Sequence, residues 1–224
     1  TMINEAVAQG KRVMAEGAQG IMLDVDFGTY PYVTSSNPSP GGVSTGLGLP
    51  PNRIDHVLGV VKAYTTRVGA GPFPTEFDTE FGDKVRDLGQ EFGATTGRPR
   101  RCGWFDAPVV RRAAQIAGVN HLLITKLDVL DTLETIKICH SYQWKGETLD
   151  LFPFGLTGDD DVNPQYEEME GWQTSLADVT DADQLPDAAR RYLGRLEELV
   201  GVPISLVSVG PNRAQVIQMR AIDL

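Results

Sequence analysis

The sequence predicts an α/β protein whose central sheet is mixed but mainly parallel, with helices on its flanks. Two helix-to-strand units indicate this class. An amphipathic helix over Ala107–Ala117 precedes a short apolar run at His121–Thr125, and a second helix over Asp187–Val200 precedes another run at 203–207. Apolar residues recur with helical spacing in both helices, and short apolar runs bounded by turns are typical of buried strands. The alternation of the two elements favours a parallel sheet.

The segments before residue 55 alternate between apolar runs and turns rich in glycine or proline. We predict the end of a helix over 3–9, capped by Gly10, then a short buried strand over 11–15 and an apolar continuation of it over 21–25. Residues 27–37 are predicted to form a loop that either contacts a ligand or is a plain surface loop, and residues 38–51 an irregular segment. Glycine after the last helical residue is a common helix stop, and many glycines and prolines disfavour regular structure. Because the chain begins inside a helix, we expect it to be a piece of a longer protein.

The middle and the end of the chain supply the remaining elements. They are, in order, a helix or helix-to-strand transition over 55–64, a strand end running into a turn over 65–74, a flexible polar insertion over 79–90, a hairpin of 134–142 and 147–152 around Lys145-Gly146, and a closing strand over 216–222. The apolar spacing of 55–64 fits a helix, whereas the polar character of 79–90 indicates a loop. Lys-Gly between two apolar runs favours a tight turn.

The composition fits a soluble globular protein, because 41% of the 224 residues are hydrophobic and 22% are charged, with a formal net charge of −10. Twelve of the 30 acidic residues lie in segment 146–189, which has no lysine or arginine, so we predict an acidic surface excursion there. No apolar run approaches the roughly 20 residues of a membrane span, and the basic residues form no stripe that would bind nucleic acid. Cys102 and Cys139 lack metal-ligand spacing, which favours a cytoplasmic location.

The densest positive cluster lies in a loop flanked by glycines. Three arginines fall within four positions, after two threonines, in Gly93-Ala94-Thr95-Thr96-Gly97-Arg98-Pro99-Arg100-Arg101. The planar guanidinium group binds carboxylate and phosphate oxygens in pairs, and backbone next to glycine can turn its N–H groups toward the same anion. Pro99 fixes the backbone between Arg98 and Arg100, so the two side chains are aimed separately. The loop is therefore predicted to bind anions, and a solvated basic turn is the alternative.

Two strand ends offer a second site. Lys126-Leu127-Asp128 directly follows the His121–Thr125 run, and Ser208-Val209-Gly210 follows the run at 203–207. In open α/β sheets, ligands bind beyond the carboxyl ends of the strands. A carboxylate can accept hydrogen bonds from N1–H and the exocyclic amine of guanine together, while a lysine stem can lie along the base. The pattern therefore favours a guanine site, although so short a motif also occurs by chance.

Four segments and the closing turn, taken together, resemble the adenylosuccinate synthetase family. They are Glu16-Gly17-Ala18-Gln19-Gly20 with 24–37, then 63–76, 92–104, 125–131 and 208–213, in the family's order across nearly the whole chain. The resemblance implies the P-loop-NTPase-like fold of that family, incomplete here, with 1–224 as the C-terminal part of a single domain. It also implies a purine-biosynthetic ligase. In its reaction, GTP phosphorylates O6 of inosine monophosphate (IMP) and L-aspartate displaces the phosphate, which forms adenylosuccinate, GDP and phosphate.

The resemblance further implies roles for residues that match the family's motifs. IMP would contact Gln19, Thr34, Val68 and Arg98, aspartate would contact Gly93, Thr95, Thr96 and Arg98, and GTP would contact Arg100, Lys126, Asp128, Ser208 and Gly210. Magnesium (Mg²⁺) would be required, with its ligands expected outside this chain. The full-length enzyme would be a homodimer. These roles agree with the anion-binding loop and the guanine site inferred from the residues themselves.

Two catalytic motifs of the family do not occur in the sequence: the glycine-rich Gly-Asp-Glu-Gly-Lys-Gly-Lys loop and the Asn-Ala-Gly-His segment. His56, His121 and His140 lie in unrelated contexts. We therefore expect the chain to resemble the C-terminal half of the enzyme and to be inactive alone. The alternative is a non-catalytic module that binds guanine or other purine nucleotides. A conventional GTPase is disfavoured because the sequence has no Gly-x-x-x-x-Gly-Lys-Ser/Thr phosphate loop.

Overall fold

The computed structural model describes residues 2–93, 97–153, 155–156 and 160–222. The helices are α1 (Met2–Ala8), α2 (Pro40–Leu47), α3 (Thr79–Leu88), α4 (Ala107–Ala117) and α5 (Asp187–Val200). The strands are β1 (Leu58–Lys62), β2 (Thr65–Arg67), β3 (Arg101–Gly103), β4 (Phe105–Asp106), β5 (His121–Thr125), β6 (Thr135–Trp144), β7 (Glu147–Leu149), β8 (Asn163–Glu170), β9 (Ile204–Ser208) and β10 (Val216–Gln218).

The central sheet has the strand order β1-β5-β9-β10. β5 pairs in parallel with both β1 and β9, and β10 closes one edge antiparallel to β9. The sheet is therefore mixed and mainly parallel, which confirms the predicted fold class. Because the three parallel strands run in the same direction, the segments that follow Lys62, Thr125 and Ser208 leave the sheet at the same edge.

Helices α4 and α5 contribute to the core on one face of the central sheet. Leu122, Ile124 and Val207 belong to this core and are at most 1% exposed. Tyr192 of α5 is fully buried in the same core, and its hydroxyl donates a hydrogen bond to the carbonyl of Ala63, 2.6 Å away, just after β1. Burying the ring while its hydroxyl keeps a partner stabilises the contact between helix and sheet.

The other face of β1 is open. Leu58 and Val60 alternate with the half-buried Gly59 and Val61, and the two exposed residues keep 44% and 65% of their surface accessible. β1 is also the outer strand of the sheet among the residues that the structure describes. Parallel sheets are usually covered on both faces, so an apolar open face is unusual for this class.

A second sheet is built around β6. This strand pairs in parallel with β4 and antiparallel with β7 and β8. Lys145 and Gly146 connect β6 to β7 with positive φ angles of 51° and 83°. Two successive left-handed residues are typical of the tight turn that suits the twist of a hairpin, so the predicted hairpin is confirmed.

Segment 146–189 contributes to both the surface and the core. The acidic side chains of β8 face solvent and basic partners, for example in the ion pair between Glu168 and Lys137. Trp172, Leu176 and Leu185, in contrast, belong to the main core. The predicted acidic excursion thus describes the charges of this segment but not all of its packing, because a few apolar residues spaced among many acidic ones are enough to anchor it. The limits of a single domain and of an excursion within it stay predictions.

The segment predicted to be a flexible polar insertion is helix α3, so that prediction was wrong. Asp78 caps the helix, because its side chain accepts a hydrogen bond from the N–H of Phe81 at 2.9 Å. Phe81 and Val85, four residues apart, pack against the main core. A surface helix needs only a narrow apolar stripe and a good cap, so the many charged residues hid it in the sequence.

Four further segments differ from expectation. Residues 11–15 form no regular secondary structure and are exposed, with Met14 88% accessible, where a buried strand was predicted. The segment predicted to be irregular contains α2, because Pro40 begins the helix and Gly48 ends it in the left-handed conformation. Residues 55–64 contain strand β1 and no helix, since its apolar residues pair with β5. The closing strand is β10, which is shorter than predicted.

Asp106 is a buried carboxylate at the junction of β4 and α4. It accepts hydrogen bonds from the N–H of Val109 at 3.2 Å, from the hydroxyl of Thr75 at 3.4 Å and from the hydroxyl of Tyr142. Burial raises the pKa of Asp106 to about 6, although the three hydrogen bonds act in the opposite direction.

We expect this carboxyl group to make the protein less stable as the pH rises from about 4 to about 6. The folded protein holds a proton there that the unfolded chain releases near the ordinary pKa of 3.8, and a shift of this size corresponds to about 3 kcal/mol. Asp106→Asn keeps an acceptor and removes the titration. Denaturant unfolding between roughly pH 4 and 7 should therefore show the variant gaining stability relative to the unsubstituted protein as the pH rises. Parallel stability curves would contradict the assignment.

Candidate functional site

The carboxyl ends of three neighbouring parallel strands form the candidate site. Lys62 is the last residue of β1, Lys126 and Asp128 follow β5, and Ser208 is the last residue of β9. The pairing registers of β1 with β5 and of β5 with β9 set these ends side by side. This edge is where α/β sheets bind ligands, because side chains and free backbone groups converge beyond the strands.

A buried carboxylate connects residues 93–101, here called the arginine loop, to the carboxyl ends of these strands. Glu91 is 0% exposed, and its Oε2 accepts hydrogen bonds from Nζ of Lys62 at 2.8 Å and from Nη1 of Arg100 at 2.6 Å. Its Oε1 accepts from the hydroxyl of Tyr64 at 2.7 Å. Burial alone would raise the pKa of Glu91, but the hydrogen bonds from these three partners and the charge of Lys62 outweigh it and lower the pKa. Arg100 and the end of β1 therefore share one ionised carboxylate.

Lys126 connects the end of β5 to the same region. Its backbone is left-handed, with φ 62° and ψ 29°, and its ammonium group donates to the carbonyl of Gly89 at 2.7 Å. A Cβ on Gly89 would lie 2.2 Å from the hydroxyl of Tyr64, so only glycine fits there. Left-handed residues other than glycine are uncommon and are found disproportionately at functional sites.

Asp128 carries an unsatisfied oxygen at this edge. Its Oδ1 is buried and has no hydrogen-bond partner among the described residues, and burial raises the pKa of the group despite the nearby charge of Lys126. A buried carboxylate oxygen without a donor is costly, so a donor on a bound ligand would complement it. The neighbouring Asp131 differs, because it accepts from the indole N–H of Trp172 at 2.8 Å and from the N–H of Leu176 at 2.9 Å.

Ser208 and Gly210 shape the adjacent strand end. The hydroxyl of Ser208 donates to the carbonyl of Gly210 at 2.8 Å. A Cβ on Gly210 would lie 2.3 Å from the side-chain amide oxygen of Gln215, so the Gln215 side chain packs directly against this glycine. The backbone of this turn is thus held in place next to Asp128.

Backbone hydrogen bonds join residues 91–93 to residues 98–100 of the arginine loop. The N–H of Gly93 donates to the carbonyl of Arg98 at 2.8 Å, and the N–H of Arg100 donates to the carbonyl of Glu91 at 2.9 Å. Arg98 is exposed, and its side chain has no hydrogen bond or ion pair with any residue that the structure describes. Thr95 and Thr96 lie outside the described residues. The guanidinium group of Arg98 is therefore available to a ligand.

A cavity of about 300 Å³ lies beside the turn that follows β2. It is lined by Leu23, Tyr32, Val33, Thr34, Arg67, Val68 and Ala70. The cavity brings Thr34 and Val68 together, although they are far apart in the sequence. Arg67 at its wall donates from Nη2 to the hydroxyl of Thr29 at 2.8 Å, which ties the wall of the cavity to a second loop.

The family model of adenylosuccinate synthetase matches residues 1–217. The chain belongs to the adenylosuccinate synthetase family. It is 52% identical over 221 residues to the adenylosuccinate synthetase of Shouchella clausii, and 51% identical over 221 residues to that of Bacillus licheniformis. Each alignment covers 99% of this chain, but 52% of the first relative and 51% of the second. The chain therefore spans about half the length of the curated relatives that it matches.

Solved structures agree with this family membership. The structure of fully ligated adenylosuccinate synthetase from Plasmodium falciparum matches with a TM-score of 0.93 and 40% identity, over 98% of this chain and 53% of that one. Cyanophage S-2L succinoaminodeoxyadenylate synthetase, bound to dGMP and dATP, matches with a TM-score of 0.59 and 19% identity, over 98% of this chain and 50% of that one. The second match shows the fold alone. The first confirms both the predicted family and the fold class.

The residues that match binding motifs of the adenylosuccinate synthetase family lie in several different parts of the structure. Arg100, Lys126, Asp128, Ser208 and Gly210 lie along the strand-end edge, whereas Thr34 and Val68 line the cavity. Gly93 and Arg98 lie in the arginine loop. Gln19 lies in an exposed segment, and its own φ angle is 62°. The ligand roles of all these residues stay predictions.

Sequence reasoning missed four residues that build the site: Lys62, Tyr64, Arg67 and Glu91. The sequence did contain a signal for Arg67, because this arginine ends a strand and directly precedes the glycine-rich turn Val-Gly-Ala-Gly. No local signal marks Glu91 as buried. Its partner Lys62 is 29 residues away in the sequence and Arg100 is 9 residues away, so only the tertiary fold brings them together.

No three histidine, cysteine, aspartate or glutamate side chains among the described residues are grouped so that they could hold a metal ion. Cys102 and Cys139 are buried free thiols. In the part of the chain that the structure describes, no helix is long and apolar enough to cross a membrane.

Proposed function

We propose that this chain supplies the GTP-binding edge, the aspartate loop and one wall of the IMP pocket of an adenylosuccinate synthetase in purine nucleotide biosynthesis. The whole enzyme would join L-aspartate to IMP through a C–N bond while GTP becomes GDP and phosphate. The supporting observation is that residues matching the family's GTP motifs lie at the carboxyl ends of neighbouring strands, where a buried oxygen of Asp128 has no partner within the described residues. A cytoplasmic homodimer fits this function.

Guanine recognition is proposed for the ends of β5 and β9. The two carboxylate oxygens of Asp128 would accept from N1–H and from the exocyclic amine of the base, one each, and this would give the buried Oδ1 a donor. Lys126 is held by the carbonyl of Gly89, so its aliphatic stem can lie along the base. Ser208 and Gly210 would line the other edge of the base.

Anion recognition is proposed for Arg98 and Arg100 of the arginine loop. Arg100 would bind the phosphates of GTP, because only its Nη1 contacts Glu91 within the described residues and its other donors are open. Arg98 would bind the carboxylate of aspartate together with Gly93, Thr95 and Thr96, and would also reach IMP. Gln19, Thr34 and Val68 would complete the contacts with IMP.

The proposed reaction requires Mg²⁺, which neutralises charge on the phosphates during phosphoryl transfer. The described residues offer no grouping of metal-ligating side chains that fits this ion. We therefore assign none of its ligands to this chain. What this chain contributes is binding and orientation of the base, the phosphates and the amino acid.

A hybrid enzyme tests the proposed function. In it, this chain replaces the matching half of the Shouchella clausii adenylosuccinate synthetase. We expect the hybrid to form adenylosuccinate from IMP, aspartate and GTP, and the 224-residue chain alone to form none. A hybrid that folds, as judged by circular dichroism and thermal unfolding, but shows no turnover would contradict the function. It would favour a purine-nucleotide-binding module, which the open oxygen of Asp128 also supports.

Asp128→Asn in the hybrid should relax the preference for guanine over other purine nucleotides. The amide can present only one acceptor oxygen and adds a donor, so the paired recognition of N1–H and amine is lost. We expect the ratio of kcat/KM for GTP to that for ITP, which lacks the amine, to fall by about 5- to 150-fold. Asp131→Asn is the matched control, because Asp131 already has two protein donors and should leave the ratio unchanged. An unchanged ratio in Asp128→Asn would reject the role.

A further inference from the structure

In the part of the chain that the structure describes, no carboxylate forms an ion pair with Arg67. Its Nε donates to the carbonyl of Ala70 at 3.0 Å, and its Nη2 donates to the hydroxyl of Thr29 at 2.8 Å and to the carbonyl of Tyr32 at 3.2 Å. All three partners are neutral. Nη1 has no partner among the described residues, and the side chain lines the cavity that also contains Thr34. A half-buried charge with only neutral partners favours a bound anion.

Nearby arginines differ from Arg67 in this respect. Arg101 stands directly opposite Arg67 in the pair of β2 and β3, and both Nε and Nη2 of Arg101 bind the carboxylate of Glu76. Arg100 likewise binds Glu91. Burial lowers the pKa of Arg67, and the charge of Arg101 lowers it further. Like charges opposite each other destabilise a strand pair, so an anion in the cavity would relieve this repulsion.

The surrounding turn holds the guanidinium group in one place. A Cβ on Gly71 would lie 2.3 Å from Nη2 of Arg67, so the backbone of the turn closes directly on this side chain. The bonds from Nε and Nη2 fix the plane of the group on one side. The N–H groups of Nη1 are thus already oriented. A ligand that accepts hydrogen bonds from them does not have to order a free side chain, and this favours tight binding.

We propose that Arg67 binds the phosphate group of the nucleoside monophosphate that occupies this cavity. The proposal rests on the proposed function, which places IMP there. Phosphate oxygens match the charge and the directed N–H groups of a guanidinium, and Thr34 in the same wall adds a hydroxyl donor. A neutral base or ribose would leave the charge of Arg67 unbalanced.

The test compares the binding of IMP and of inosine, which lacks the phosphate, to the 224-residue chain by isothermal titration calorimetry. We expect IMP to bind about tenfold tighter or more, since hydrogen bonds to charged groups have energies of this order. Arg67→Met should remove most of that difference and leave inosine binding within about twofold. Arg67→Lys, which keeps the charge without the planar fork, should keep part of it. Inorganic phosphate should compete with IMP and not with inosine.

Arg101→Met is the matched control. Arg101 holds the same turn through the carbonyls of Gly69 and Gly71 but does not line the cavity, so the preference for IMP over inosine should persist in this variant. An unsubstituted chain without preference for IMP would overturn the proposal. So would a preference that survives in Arg67→Met, or an equal loss of both ligands in that variant. If the chain prefers IMP through Arg67 but the folded hybrid shows no turnover, the proposed function fails and this inference stands.

Discussion

Replacing Arg98 with alanine in the hybrid enzyme should raise the KM for aspartate by about 30-fold or more, while the KM for GTP stays within about threefold. The reason is that Arg98 has no partner among the described residues, so its guanidinium is available for the aspartate carboxylate and its loss leaves no protein group unpaired. Initial rates measured with aspartate and GTP varied in turn would give both constants. The KM for IMP should also rise, because the same side chain is proposed to reach IMP.

The matched variant for this prediction is Arg98→Lys. It keeps the positive charge but cannot bind both carboxylate oxygens with one planar group, so its KM for aspartate should lie between those of the unsubstituted hybrid and of Arg98→Ala. Equal increases for aspartate and GTP in Arg98→Ala would show that the loop acts as a whole and that Arg98 has no special role toward the amino acid.

Replacing Glu91 with glutamine should lower the free energy of unfolding by about 3 kcal/mol or somewhat more. Breaking a buried ion pair by removing one partner costs about 3–5 kcal/mol, and the lower end applies because Lys62 and Arg100 are 25% and 29% exposed. Denaturant unfolding of both proteins at neutral pH gives the difference. Glutamine keeps the size of the side chain, so the loss would come from charge and not from a cavity.

A double-mutant cycle with Lys62→Met isolates the pair, since the two changes together should cost less than the sum of the single changes. The pH dependence gives a second check. Folding lowers the pKa of Glu91, so its stabilisation is complete above the ordinary value of 4.5 and is lost as the pH falls through the folded pKa. The stability curves of Glu91→Gln and of the unsubstituted protein should therefore converge in acid. A constant gap between them would contradict the ionised state of Glu91.

Elements with strong local signals could be predicted from the sequence. Helix α4 has the predicted bounds, and Gly118 ends it in the left-handed conformation with a φ of 60°. Strand β5 also matches, because its apolar run is short and bounded by turns. The polar stretch that forms α3 shows the limit of this reasoning. Its many charges led to the prediction of a loop, although the capping residue Asp78 was an equally informative signal for the start of a helix.

The convergence of Lys126, Asp128 and Ser208 could also be predicted, because parallel strands that follow helices bring their carboxyl ends to one edge. The network around Glu91 could not, because burial of a glutamate depends on partners that the sequence does not place. Met14 illustrates the same limit in reverse, since it lies in an apolar run yet is 88% exposed. Periodicity reports local preference, whereas burial is a property of the assembled fold.

The open face of β1 affects how the chain behaves when it is prepared by itself. Within the described residues β1 is an outer strand, so it offers backbone groups on one side and the exposed apolar side chains of Leu58 and Val60 to a second identical molecule. Self-association through this strand would compete with folding at high protein concentration. A charged residue there, as in Val60→Lys, would keep the isolated chain monomeric for solution work without touching the strand-end edge where the ligands are proposed to bind.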